Sequence, residues 1–237
     1  MTGPQASSSR LLDRGIQVAL ITSVVFVVVA FLGGEPASAR GFYYLLWLSF
    51  TGWVWARRDT VGPWLRSRPL PEFPLFVGLG LLMIILEETL AGILVHLLSA
   101  PSAAELLGAV PQYYFNNLFL LPGFIIAWYL LLKLCDYSRT EVFVLVGLFG
   151  LFAEKIHLHV LAFPILGIAL ILPTMFTYMG IILPSLLSLR SHGTRRWHWS
   201  IRYCVGFLFP ILVSIPFLMV HGWLTEAGLI DPGILTR

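Results

Sequence analysis

Leu79-Gly80-Leu81-Leu82-Met83-Ile84-Ile85-Leu86-Glu87-Glu88-Thr89-Leu90-Ala91-Gly92-Ile93-Leu94-Val95 is the stretch whose reading decides the fold. Nearly every residue is hydrocarbon. With its apolar flanks it reaches the roughly 20 residues that a helix needs to cross a bilayer. Two adjacent carboxylic acids sit in its middle. An ionised carboxylate at that depth costs several kcal/mol, so such residues face a protein interior and find partners there. The segment is therefore read as a membrane helix and as the first place to look for function.

The remainder of the chain agrees with that reading. Its 237 residues are 58% hydrophobic and 11% charged, with a mean hydropathy of +0.86. Soluble domains carry about 25% charged residues, which excludes that class. The apolar runs do not alternate with polar residues as outer-membrane barrel strands do. The expected fold is all-α: a polytopic integral membrane helical bundle forming a single domain over 1–237, with about seven transmembrane helices. They are placed at roughly 16–32, 42–56, 75–98, 113–133, 141–162, 165–188 and 203–223.

Charge sets the orientation. With the N-terminus cytoplasmic, every Lys and Arg except Arg40, Lys155 and Arg237 falls on the cytoplasmic side. This is the positive-inside pattern, and it leaves the C-terminus outside. A short tail at 1–15 and basic loops at 57–73 and 190–202 then face the cytoplasm, the second of them lying on anionic lipid. The basic pI of 9.0 thus points to a lipid bilayer and not to nucleic acid. Tyr43, Tyr44, Trp47 and Trp223 are expected at the outer interface, and Trp53, Trp55, Trp64, Trp128, Tyr137 and Trp199 at or near the inner one. Ala37-Ser38-Ala39 has the form of a signal-peptidase site, but the preceding apolar run is long, so an uncleaved first helix is expected. Cys135 and Cys204 both map to cytoplasmic helix ends and are expected to stay reduced.

Depth then gathers the polar residues. At 1.5 Å per residue, Glu88 and Glu154 both lie roughly 20 Å from the inner ends of their helices, and His157, Asn116 and Asn117 roughly 24 Å. Glu154 and His157 are i and i+3 on the expected fifth helix, hence on one face. The Glu-x-x-His arrangement offers two ligands to one metal. Glu87 and Glu88 are read as catalytic, Asn116 and Asn117 as substrate-binding, and Glu88, Glu154 and His157 as ligands of a divalent ion, zinc or iron. That set suits a metal-dependent hydrolase embedded in the membrane and acting on a lipid or a peptide. The CAAX-protease-like metallopeptidases also carry a Glu-Glu pair, but with an arginine four residues later, where this chain has Gly92.

Two other classes fit the same residues. Carboxylates at membrane depth beside helices carrying Pro122, Pro173, Pro210 and Pro216 suit a proton- or cation-coupled transporter, the prolines themselves being read mainly as kinks. Histidines toward the outer side (His96, His157, His159 and His221) would suit a haem-bearing or non-catalytic subunit of a membrane complex. The plasma membrane of a prokaryote is the expected location.

Overall fold

The computed structural model of the chain describes residues 14–25, 28, 37–97, 102–162 and 164–229. The elements among them are helices: α1 (Arg14–Val25), α2 (Ala37–Ala56), α3 (Arg58–Arg66), α4 (Glu72–Leu97), α5 (Ala103–Leu134), α6 (Arg139–Ala153), α7 (Ile156–Ala162), α8 (Pro164–Ser188) and α9 (Trp199–Glu226). Three of them are long and apolar enough to span a membrane, or four if the bent pair α6–α7 counts as one span. The seven spans expected from sequence exceed that number.

Helix α8 is the hub. It packs against α2, α3, α4, α6 and α7, whereas α9 lies on α5 and α6. Hydrogen bonds tie α8 to its neighbours where a membrane core has few other directional forces. Trp47 Nε1 on α2 donates to the Thr177 carbonyl at 3.1 Å, and Ser185 Oγ donates to the Phe76 carbonyl on α4 at 2.7 Å. Elsewhere small residues let backbones meet. A Cβ built on Gly123 of α5 would stand 2.6 Å from Ser214 Cα of α9, so nothing larger than glycine fits that crossing. The fully buried core includes Phe76, Ile84, Ile125, Trp128 and Ile182.

One end of the bundle collects the basic segments. Helix α6 starts there with a capping box: Ser138 Oγ accepts from Glu141 N at 3.2 Å, and Ser138 N donates to Glu141 Oε2 at 2.8 Å. Glu72, at the start of α4, meets Lys133 at 2.8 Å and accepts from Arg190 N at 3.0 Å. Arg202 of α9 pairs with Glu141 at 2.5 Å. The segment after α8 is not a loose loop. Gly193 N donates to the Leu132 carbonyl, and Asp136 N to that of Arg195. The Arg190 guanidinium donates to the carbonyls of Arg68 and Leu70 at 2.7 and 2.9 Å.

Several expectations need correction. The basic loop at 57–73 contains helix α3, which buries Leu65 and leaves Trp64 out under the Arg68 guanidinium. The aromatic belt divides in two: Trp53, Trp64, Trp199 and Trp223 are exposed, but Trp47, Trp55, Trp128 and Tyr137 are core residues. Sequence depth locates a ring at the interface without saying whether it faces lipid or protein. The expected helix at 141–162 is broken, with α6 and α7 bent by 68°. The break is at Glu154-Lys155, where Lys155 has a left-handed φ of 54°, costly for a residue with a side chain. The prolines Pro173, Pro184, Pro210 and Pro216 all lie inside continuous helices. Cys135 and Cys204 are free thiols, one buried and one exposed.

Candidate functional site: a tyrosine–carboxyl cluster

Glu87 and Glu88 are buried on α4, each 9% exposed. Tyr43, near the start of α2, donates its hydroxyl hydrogen to Glu87 Oε1. Glu88 follows Glu87 on the same helix and is equally buried.

Glu154 comes to the same place from α6. It caps the last turn, its N–H bonded to the Gly150 carbonyl at 2.9 Å. Its Oε1 accepts from Tyr178 of α8 at 2.9 Å. Gly150, one turn earlier on the same face, makes that bond possible. A Cβ there would stand 2.4 Å from Tyr178 Cδ2, so only glycine leaves room for the ring. Glu154 lies within electrostatic range of Glu87 and Tyr43, and Tyr178 within range of Glu154, Glu87 and Glu88. Four helices thus bring three carboxyl groups and two phenols together. Tyr44 extends the cluster toward Thr174, with 3.4 Å between their oxygens.

Glu87 and Glu154 make no ion pair among the described residues; hydroxyl groups hold both. A phenol is a neutral donor, so it orients a carboxylate without cancelling its charge. The arrangement can take up a proton or a small cation, because neighbouring carboxyls, Glu87 and Glu88 buried and Glu154 exposed, resist carrying all their negative charge at once.

Of the residues read as a site from sequence, Glu87, Glu88 and Glu154 do converge. His157 does not join them. The break at Glu154-Lys155 ends the shared helix face, and His157 is exposed on α7 with its ring 5.4 Å from that of Phe152. Among the described residues no group of three or more His, Cys, Asp and Glu is arranged to hold a metal. Asn116 and Asn117 lie on α5, which the cluster's neighbour Thr89 joins through the Tyr114 hydroxyl at 2.7 Å; their own side chains fall outside the described residues, as do those of His96 and His159. Tyr43 and Tyr178 were missed as site residues. Tyr43 read as an interfacial ring, and Tyr178 drew no notice because tyrosine is cheap in a membrane helix. Including tyrosine in the depth count would have set Tyr43 beside the glutamates.

No protein-family model, curated protein or solved structure matches this chain.

Proposed function

We propose that the protein is a proton- or cation-coupled membrane transporter, with Glu87, Glu88 and Glu154 as its ion-binding residues and Tyr43 and Tyr178 as the donors that orient them. The observation that carries this reading is the meeting of three carboxyl groups, two of them held by neutral phenols, with no ion pair at Glu87 or Glu154 among the described residues. Intramembrane carboxyls gathered in this way mark ion and proton pathways. The helix is interrupted directly after Glu154, at Lys155, and interrupted helices beside intramembrane carboxyls are a transporter device. A hydrolase built on a metal held by Glu88, Glu154 and His157 is favoured less, since it needs His157 on the face of Glu154.

In this reading the chain is a single membrane domain crossing about seven times, with α1, α2, α4, α5, the α6–α7 pair, α8 and α9 as the crossing legs. The basic end faces the cytoplasm by the positive-inside rule, and the cluster lies toward the opposite face. A prokaryotic plasma membrane is the expected setting.

The test uses proteoliposomes loaded with a pH-sensitive dye. Under an imposed sodium, potassium or pH gradient, protein-dependent proton movement is expected, and Glu87→Gln and Glu154→Gln should each abolish it. Proton movement that never exceeds that of empty vesicles, or that survives both substitutions, would overturn the reading.

A further inference from the structure

A second site lies at the basic end, away from the carboxyl cluster. A cavity of about 720 Å³ opens there between α2, α3, α6, the end of α8 and the segment that follows it. Its wall carries Arg66, Arg139, Arg196 and Arg202 against Asp136 and Glu141. Pairing consumes part of this charge. Arg202 is matched by Glu141 at 2.5 Å and Arg196 by Asp136 at 3.4 Å. Arg66 gives one N–H to the Leu187 carbonyl at 2.8 Å, which holds the guanidinium in place but leaves its charge uncancelled.

Arg139 is the residue that this pairing leaves over. Arg139 is exposed, and among the described residues its guanidinium makes no hydrogen bond and no ion pair; the like charges acting on it are those of Arg58 and Arg66, with Asp59 opposing. Cations crowded around a concave site raise a local potential that an anion would relieve. A guanidinium presents paired N–H groups that match phosphate oxygens, and two of them converging on one anion is the usual form of phosphate recognition. The volume falls within the range of about 300–1,000 Å³ typical of small-ligand sites.

We propose that this cavity binds a phosphate-bearing anion, with Arg139 and Arg66 as its direct ligands and Arg196 and Arg202 as the rim. The phosphate belongs either to a phospholipid headgroup, as in other basic pockets between membrane helices, or to a soluble molecule. Nothing in this site depends on the transport reading.

Two arms separate the sources. In the first, thermal unfolding of the full chain in detergent is followed as inorganic phosphate replaces chloride at constant ionic strength. In the second, the protein is taken from nanodiscs of phosphatidylcholine with and without cardiolipin, and retained lipid is read by native mass spectrometry. Stabilisation by inorganic phosphate identifies a soluble source; retention of cardiolipin without it identifies a headgroup. In whichever arm responds, Arg139→Gln should weaken binding about tenfold. Arg139→Lys should recover part of the loss, and Arg57→Gln, which removes an exposed charge outside the cavity, should change little. No response in either arm, or equal losses in Arg139→Gln and Arg57→Gln, would overturn the proposal.

Discussion

The two ends of this bundle handle carboxylates in opposite ways. At the basic end Glu72, Glu141 and Asp136 each meet a cation: Lys133, Arg202 and Arg196. At the cluster Glu87 and Glu154 meet phenols instead. A carboxylate matched by a cation has its charge cancelled and serves chiefly to join two helices. One held by a neutral hydroxyl keeps its charge available to a mobile ion. On the proposed transport reading, the contrast separates the part of the molecule that fastens helices together from the part free to exchange a proton or a cation.

If that contrast is right, the largest loss of stability should come from the basic end. Arg202→Ala strips Glu141 of its cation in a pair whose side chains are 20% and 13% exposed, and Arg202 also bonds the Asp136 carbonyl. A cost of about 3 kcal/mol is expected in reversible unfolding from mixed micelles. Gly150→Ala comes next, at about 2 kcal/mol, because the added methyl must displace the Tyr178 ring. It should impair proton movement as well, since the ring carries the hydroxyl that holds Glu154.

A closer comparison matches two single-atom changes. Glu72→Gln should cost about 1 kcal/mol through the lost attraction to Lys133. Glu87→Gln should cost less than about 1 kcal/mol, because an amide still accepts from Tyr43. If Glu87→Gln proved the more damaging of the two in the same unfolding assay, the division into fastening and exchanging ends would fail.

The smallest effect is one of pH. His192, in the wall of the basic cavity, is held below its ordinary range, first by partial desolvation and then by the fields of Arg139 and Lys133, with Asp136 and Glu72 pulling the other way. A depressed histidine favours its neutral form in the folded protein. Stability is therefore complete above the unfolded pKa of about 6.5 and falls as the pH drops from there toward the folded value. A shallow loss of thermal stability on acidification is expected, and His192→Gln should flatten that part of the profile while leaving the rest in place.

Legibility differed between the two ends. The carboxyl cluster was half readable: burial penalties make glutamates in an apolar run conspicuous, and counting helical rise placed Glu88 and Glu154 at one height. Their phenol partners were not readable, because Tyr43 and Tyr178 carry no such penalty and only the packing of α2 and α8 selects them. Pairing the metal reading with His157 assumed a continuous helix. The break occurs at a lysine with neither glycine nor proline beside it, so no local signal announced it. At the basic end the positive charge was plain, but the cavity was not. A cavity depends on how α3 and the segment after α8 fold back, and neither was expected to have structure.

By itself, the sequence determined that this is an all-helical chain with helices apolar enough for a bilayer, where its charges collect, and which acids are too costly to be incidental. Those properties follow from transfer free energies, which belong to residues one at a time. Only the tertiary structure decided which apolar helix became the core. The candidate spans in α8 and α9 have mean hydropathies of 1.8 and 2.2, yet 72% of the first and 17% of the second is buried inside the protein. Lipid and protein interior are nearly equal solvents for hydrocarbon, so hydropathy cannot separate them; close packing and a few interhelical hydrogen bonds do.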